Sequence, residues 1–148
     1  THLGHSFPTR RSSDLLRLDC GSRIEGIGRP RVEASFLPKV IDAMVKVPDA
    51  LSLAAMHYLA QRLGRRVGGS SGTNLIGALL AAREMVSAGE SGSIVAILCD
   101  GGERYATTYY DQDWLQAQGY DLAGLIDSVK ACAERGEALP EGVLRAGI

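Results

Sequence analysis

The stretch that decides the fold reads SIVAILCDGGERY and covers residues 93–105. Its first half is an almost unbroken apolar run, and a short run of this kind between turn residues is typical of a strand that a parallel sheet buries on both faces. Its second half turns at two glycines and carries charged and aromatic side chains. Because ligands of open α/β sheets bind beyond the carboxyl ends of such strands, the sequence predicts a central parallel strand at residues 94–98 and a site at residues 100–105.

Helical patterns surround this strand. Apolar residues at fourfold spacing predict a helix over residues 49–63, with Asp49 as its N-cap and Gly64 as its C-cap. A second helix is predicted after the glycine-rich residues 68–72, and it should end at Gly89. Shorter helices are predicted near residues 38–44, 113–118 and 122–134. The alternation of helix and strand patterns predicts the α/β class, with a mostly parallel sheet flanked by helices.

Composition narrows the function classes. The chain has 148 residues, is 45% hydrophobic and 22% charged, and carries a formal net charge of -1, which fits one globular domain and disfavours a nucleic-acid partner. No apolar run approaches the ~20 residues that cross a bilayer, so no membrane partner is predicted. Cys20, Cys99 and Cys132 are odd in number and lack the spacing of metal ligands, which favours reduced thiols in the cytoplasm and no metal site.

Two glycine-rich segments lie upstream of the deciding stretch: IEGIGRPRVE at residues 24–33 and VGGSSGTN at residues 67–74. Together with CDGGERY at residues 99–105, and in the same order, they resemble the C-terminal part of the cysteine synthases, which depend on pyridoxal 5'-phosphate (PLP) and are related to the cystathionine β-synthases. GRPRVE and the segment YATTYYD at residues 105–111 are most similar to the cysteine synthase-like L-cysteine desulfhydrase branch. The resemblance covers residues 16–119.

The resemblance implies a partial fold-type II, tryptophan synthase β-like α/β domain. Residues 16–119 would be the C-terminal part of its PLP-binding domain, beginning with the end of a strand at residues 16–24, and residues 120–148 a C-terminal helix and a weakly ordered tail. Residues 1–15 contain HSFPTRRSSDL, which resembles a translated DNA-sequencing adapter. We expect these residues to be an unstructured artefact and leave them out of the fold argument, although a natural Ser/Arg-rich arm would have the same composition.

The resemblance also implies which residues bind the cofactor. These are Gly26, Ile27 and Gly28 through their main chain, Ser70 and Ser71 at the active-site border, and Asp100, Gly101 and Gly102 in the turn after the strand. From the residues alone, the glycine-rich segment at 68–74 predicts an anion site at a helix N-terminus, but the family holds the PLP phosphate on a different, upstream loop. A plain tight turn at residues 26–28 and a helix-capping turn at residues 70–72 stay open as alternatives.

Two departures from the family pattern bear on catalysis. The position matching Gly101 usually carries a serine that hydrogen-bonds the pyridine nitrogen of PLP, and glycine has no hydroxyl; water, Ser71 or Asp100 would have to substitute. The Schiff-base lysine of the family lies upstream, and the three lysines here, at positions 39, 46 and 130, match no such motif. We therefore expect no catalytic residue in this chain and no activity from it alone.

The predicted parent protein is a PLP-dependent lyase or transferase of cysteine metabolism. It would act on a small amino acid by β-elimination or β-replacement, as a cysteine synthase or an L-cysteine desulfhydrase, and would be a cytoplasmic homodimer. The alternative is a non-catalytic α/β binding module or a pseudoenzyme remnant, which Gly101 supports. Elsewhere, Glu103 and Arg104 are expected to form an ion pair, and His57 to be a satisfied or surface histidine.

Overall fold

The computed structural model of the chain describes residues 21–27, 34–142 and 144–147. Within these residues, two short strands and four helices follow one another in chain order: β1 (Ala43–Lys46), α1 (Asp49–Leu63), α2 (Gly69–Ala88), α3 (Gln112–Ala117), α4 (Ala123–Arg135) and β2 (Leu144–Gly147). Single 3-10 turns lie at Pro38–Val40 and Glu103–Tyr105. The predicted artefact at residues 1–15, most of the predicted strand end at residues 16–24, and Gly28 lie outside the described residues.

The C-terminal ends of α1 and α2 confirm the predictions. Gly64 and Gly89 cap them with φ values of 65° and 68°, a left-handed conformation that glycine adopts without the penalty of a Cβ. The N-terminal ends differ. Pro48, not the predicted Asp49, occupies the N-cap position of α1. The Asp49 carboxylate does not cap the helix, since it accepts hydrogen bonds from Ser22 Oγ at 2.7 Å and Arg23 N at 2.6 Å. Helix α2 starts at Gly69, so the glycine-rich segment forms its first turn rather than a loop before it.

Helix α1 is the centre of the core. Gly72 of α2 packs against it so closely that a Cβ there would lie 2.6 Å from Met56 N and nearer still to the carbonyl oxygen of Ser52. One buried cluster on α1 comprises Ile24, Leu53, Met56, Val67, Tyr105, Tyr109, Leu115 and Leu122. A second comprises Leu51, Ala54, Ala55, Tyr58, Ile76 and Val129. Burial therefore extends around most of the circumference of the first turns of α1 and is not limited to the one apolar face that the fourfold spacing predicts.

The predicted central strand at residues 94–98 is not formed in this structure, so the parallel sheet is not confirmed. Residues 90–99 carry no regular secondary structure, and Ile94, Val95, Ile97 and Leu98 are 42%, 92%, 71% and 45% exposed. Two side chains of α2 hold the end of this segment: Asn74 Nδ2 donates to the carbonyl oxygen of Ile97 at 2.9 Å, and Ser71 Oγ accepts from Cys99 N at 3.0 Å. A strand needs neighbouring strands for its backbone groups, and the described residues place none beside it.

The sheet that does form joins two distant segments. β2 pairs antiparallel with β1, with Ala43 opposite Gly147 and Lys46 opposite Leu144. The predicted helix at residues 38–44 is wrong in part, because only a 3-10 turn forms at Pro38–Val40 and the long-range pairing orders residues 43 and 44 as a strand. The same pairing places β2 within the segment that was predicted as a tail. None of the helices within the described ranges is both long and apolar enough to span a bilayer.

Candidate functional site

A cleft of about 290 Å³ lies where the three glycine-rich segments meet. Its lining comes from the turn near residue 26, the first turn of α2 and the turn that follows residue 99: Glu25, Gly26, Ile27, Ser70, Cys99, Asp100, Arg104 and Tyr105. Four of the residues predicted to bind the cofactor are among them, Gly26, Ile27, Ser70 and Asp100. Segments that are more than seventy residues apart in the sequence thus form one concave surface.

The turn at residues 24–27 is fixed by Tyr109. The Tyr109 hydroxyl donates to the carbonyl oxygen of Arg23 at 2.6 Å and accepts from Glu25 N at 3.1 Å, while Ile24 is buried in the core. Gly26 has φ of 86°, a conformation that favours glycine. Gly26 and Ile27 therefore line the cleft from a turn that hydrogen bonds to Tyr109 hold in place.

The two predicted serines have different surroundings. Ser70 is buried in the first turn of α2 and lines the cleft. Ser71 is buried beside it, but its Oγ accepts the hydrogen bond from Cys99 N and so ties α2 to the segment before the turn. Ser71 supports the wall of the cleft and is not among the residues that line it.

Asp100 is turned into the protein. Its Oδ2 accepts a 2.6 Å hydrogen bond from the Tyr105 hydroxyl, and its Oδ1 is buried without a hydrogen-bond partner in the described part of the chain. The carboxylate lies against Gly68, where a Cβ would be 2.8 Å from Asp100 Cγ, and the main-chain carbonyl of Asp100 accepts from Gly68 N at 3.0 Å. Asp100 therefore joins the turn to the start of α2.

The two glycines after Asp100 tolerate a side chain to different degrees. A Cβ on Gly102 would lie 2.5 Å from Arg66 Cβ and 2.6 Å from Val67 N, so this buried glycine is required by packing. A Cβ on Gly101 would meet only the end of the Glu103 side chain, and Gly101 is exposed with no positive φ. Gly101 pairs with Val67 through an antiparallel bridge, and the space around it admits a small side chain.

The side chain of Tyr105 is buried beside Asp100. Burial, and then its hydrogen bond to the Asp100 carboxylate, raise the pKa of Tyr105 well above the usual tyrosine range. Its ring stacks on Tyr109 with centroids 4.6 Å apart. The hydroxyl consequently stays protonated and remains a donor to Asp100 at neutral pH.

Arg104 has a partner that the sequence did not indicate. The expected Glu103–Arg104 ion pair is replaced by one to Glu25, with Arg104 Nη2 2.9 Å from Glu25 Oε2, and the guanidinium lies 5.3 Å from the centre of the Tyr105 ring. Arg104 and Tyr105 lie within the site predicted at residues 100–105, although not among the predicted cofactor-binding residues, whereas Glu25 and Cys99 were not predicted as site residues. Their adjacency to the glycine motifs was the available signal, but only the fold places Glu25 opposite Arg104.

The histidine and the tryptophan lie away from the cleft lining. His57 Nε2 is 2.8 Å from the Tyr109 carbonyl oxygen, and burial lowers the pKa of His57 while this hydrogen bond partly offsets the effect. Trp114 packs edge-on to Tyr109 at 5.6 Å. The hydrogen bond of His57 agrees with the prediction of a satisfied histidine.

The lining residues fit one wall of a PLP site. The lining offers main-chain groups at Gly26 and Ile27 and a hydroxyl at Ser70, and the exposed Gly101 follows directly after Asp100 of the lining, which suits a flat polar ring. Asp100 lines the cleft, but its Oδ2 is engaged by the Tyr105 hydroxyl and its Oδ1 is buried. None of the three lysines lines the cleft, since they lie in the Pro38–Val40 turn, in β1 and in α4. In the described ranges, no group of three or more His, Cys, Asp or Glu residues is arranged to hold a metal ion.

Known proteins that are similar to this chain carry the names of the enzymes that the three segments resemble. The chain is 56% identical over 115 residues to an L-cysteine desulfhydrase of Mycobacterium tuberculosis, a match that covers 75% of this chain and 31% of that protein. It is 40% identical over 76 residues to a putative cysteine synthase of Sinorhizobium fredii, covering 51% of this chain and 21% of the relative. It is 33% identical over 98 residues to a cystathionine β-synthase of Dictyostelium discoideum, covering 66% and 19%. No protein-family model matches the chain.

Proposed function

The chain is a homologue of the cysteine synthases and L-cysteine desulfhydrases, and we propose that it forms one wall of the active site of a longer PLP-dependent enzyme of cysteine metabolism. It spans less than a third of the length of the M. tuberculosis desulfhydrase. An α/β fold follows from this homology. The observation that carries the proposal is the convergence of the three matching segments on one cleft.

The reaction we propose is β-elimination or β-replacement on a small amino acid. PLP, when bound, supplies the electron sink that such chemistry needs. Main-chain atoms of residues 26–28 and the Ser70 hydroxyl are proposed to contact cofactor or substrate. Ser71, Asp100 and Gly102 are proposed to hold the wall in place, and Gly101 to lie next to the ring nitrogen.

The mostly parallel sheet is part of the same proposal. Residues 94–98 would be a strand of that sheet once the rest of the enzyme supplies neighbouring strands. Their exposed apolar side chains support this, since a segment with no charged residue between positions 91 and 99 is poorly suited to water.

Location and assembly complete the proposal. We place the enzyme in the cytoplasm as a homodimer, with a small amino acid as substrate and neither nucleic acid nor membrane as partner. Cys99 and Cys132 are free thiols, as a reducing compartment would keep them. The chain on its own is proposed to be inactive, because no lysine among the described residues reaches the cleft lining.

The decisive experiment uses the full-length enzyme, obtained by recovering the upstream coding sequence. With PLP it should absorb in the visible and release sulfide and pyruvate from L-cysteine, or consume sulfide in a replacement reaction. The 148-residue chain should do neither. Gly101 favours the competing function, a non-catalytic binding protein. A full-length protein that shows no PLP absorbance after incubation with the cofactor would support that alternative.

A further inference from the structure

One short turn holds all three segments that meet at the cleft. These cleft segments are residues 23–27, 67–70 and 99–102. Residues 105–110, the tyrosine turn, follow the last of them and carry tyrosines at positions 105, 109 and 110. Each tyrosine hydroxyl bonds a different cleft segment, at sequence separations of 5, 86 and 43 residues. A single local element therefore joins parts of the chain that lie far apart.

The contact made by Tyr110 completes the set. Its hydroxyl donates to the carbonyl oxygen of Val67 at 2.9 Å and accepts from Val67 N at 3.0 Å, so it satisfies both main-chain groups of the residue that begins the second cleft segment. Tyr109 makes a corresponding pair of main-chain bonds to the first segment. Tyr105 makes one bond to the third segment, through the Asp100 carboxylate.

The tyrosine turn is itself held in place. Main-chain hydrogen bonds from Thr108 N and Tyr110 N both end at the carbonyl oxygen of Tyr105, at 3.1 and 3.2 Å. The His57 side chain on α1 lies 2.8 Å from the carbonyl oxygen of Tyr109 and connects the turn to the core. Burial raises the pKa of Tyr109 and of Tyr110, as it does for Tyr105, so all three hydroxyls remain donors at neutral pH.

We propose that Tyr105, Tyr109 and Tyr110 are positioning residues of the PLP site, and that the hydroxyl of each fixes one cleft segment. This inference rests on the proposed function. Binding groups must lie within ~0.5 Å of their productive positions. Glycine-rich segments have few side chains that could fix their own main chain, so a neighbouring element has to do so. The tyrosine turn is that element, because its three hydroxyls reach all three segments.

The arrangement predicts that each hydroxyl acts on its own segment. The first test compares backbone amide chemical shifts of the complete 148-residue chain, without PLP, between the unaltered chain and variants that lack one hydroxyl. The largest shifts are expected in residues 24–27 for Tyr109→Phe, in residues 67–70 for Tyr110→Phe and in residues 99–102 for Tyr105→Phe. A role in general stability alone would not produce this separation, since it would affect the three segments alike.

The second test measures PLP affinity in the full-length enzyme, by titration of its visible absorbance. Each of the three variants should raise the dissociation constant of PLP by about fivefold, which corresponds to one net hydrogen bond spent on ordering a loosened segment. The tyrosine rings remain in all three variants, so the packing of the turn is kept.

Two control variants separate positioning from stability. Tyr58→Phe removes the hydroxyl of another buried tyrosine, which contacts Glu134 on α4 outside the cleft lining. Val129→Ala opens space in the second buried cluster and lowers the stability of the fold without removing a bond to any cleft segment. Neither control should shift the amides of the cleft segments or raise the dissociation constant of PLP by more than about twofold.

Shifts spread evenly over the three cleft segments in every tyrosine variant would overturn the inference. So would PLP affinities that fall as much in Val129→Ala as in the tyrosine variants. A full-length enzyme that does not retain PLP would overturn the proposed function instead, and the amide shifts of the 148-residue chain would still decide whether each hydroxyl fixes its own segment.

Discussion

Two apolar stretches of this chain have opposite surroundings. The first turns of α1 are almost completely buried, with Leu51, Leu53 and Met56 at most 2% exposed. The stretch at residues 91–99 is equally free of charge, yet its side chains are exposed throughout, Val95 at 92%. Apolar sequence therefore does not by itself determine burial in this protein.

The difference lies in how each stretch satisfies its backbone. A helix forms its own hydrogen bonds, so α1 needs only apolar neighbours, and α2, α4 and the tyrosines of the turn after Gly102 supply them. An extended segment needs strands on both sides before it can be buried. Burial of residues 91–99 thus depends on more chain than α1 requires.

The largest change in stability is expected at the close contact between α1 and α2. Gly72→Val would place side-chain atoms against the Ser52 carbonyl and Met56 N, which are backbone and cannot move independently. We expect the free energy of unfolding to fall by about 3 kcal/mol or more, measured by urea denaturation. Gly77→Ala is the matched control, because a Cβ at Gly77 meets nothing within 4 Å and should stabilise α2 by about 0.5–1 kcal/mol.

An equal response of the two glycine variants would contradict the packing described for α1 and α2. It would mean that the helices separate easily and that burial of α1 is as conditional as that of residues 91–99. The contrast between the buried turns of α1 and the exposed residues 91–99 would then no longer hold.

The next largest change in stability is expected from loss of the Tyr105–Asp100 hydrogen bond. Tyr105→Phe leaves both oxygens of the Asp100 carboxylate without a partner among the described residues, and we expect a loss of about 1–3 kcal/mol at neutral pH. Tyr58→Phe is the control, since its hydroxyl makes a longer 3.4 Å contact with Glu134 and should cost less.

The same variant predicts a change at alkaline pH. Burial and the Asp100 hydrogen bond raise the pKa of Tyr105 above its unfolded value of about 10. The stabilisation is therefore complete below pH 10 and is lost as the pH rises above it, because the unfolded state ionises first. Unfolding measured between pH 8 and pH 11 should show a smaller alkaline loss for Tyr105→Phe than for the unaltered chain. Identical pH profiles would remove Tyr105 from this role.

Local signals explain which parts of the fold were predictable. The ends of α1 and α2 are set by Gly64 and Gly89, whose conformation depends on the residue itself, and both predictions are confirmed. The pairing of β1 with β2, the Arg104 partner and the unformed strand at residues 94–98 depend on segments far apart in the chain or on neighbouring strands. No pattern within a few residues encodes such contacts.

In the candidate site, too, the features with a local sequence signal were predictable and those that depend on distant contacts were not. Its glycine-rich segments were identifiable by their order, and four of the eight predicted binding residues line the cleft. That Ser71 and Asp100 direct their side chains into the protein was not predictable, because the partners are Cys99 N and the Tyr105 hydroxyl in a turn whose geometry the sequence does not specify.

Gly101 lies where the exposed segment meets the cleft, and its expected effect is smaller. In the full-length enzyme, Gly101→Ser should add a donor to the pyridine nitrogen and strengthen PLP retention by the ~1 kcal/mol of one net hydrogen bond. The fold should accept the serine, because only the end of the Glu103 side chain has to move. Cofactor dissociation and pyruvate release from L-cysteine are the measurements.

Gly102→Ser provides the contrast for this variant. A Cβ there meets Arg66 Cβ and the Val67 backbone, so this serine should destabilise the turn and weaken PLP retention. If Gly101→Ser left both cofactor dissociation and pyruvate release unchanged in a folded enzyme, Gly101 would not face the ring nitrogen, and the alignment of this turn with the family would be misplaced.

The smallest change in stability is expected in the exposed segment itself. Val95→Lys combined with Ile97→Lys places charges where the side chains already contact water, so the free energy of unfolding of the 148-residue chain should change by less than about 0.5 kcal/mol. Self-association should decrease, because an exposed apolar segment without charges can pair with another chain, and lysine side chains oppose such pairing. Sedimentation velocity over a range of concentrations measures this, with Val86→Lys as the control, since Val86 is also 78% exposed but lies on α2. If the double variant unfolds like a core mutant, residues 91–99 are buried in solution, and the contrast with α1 disappears.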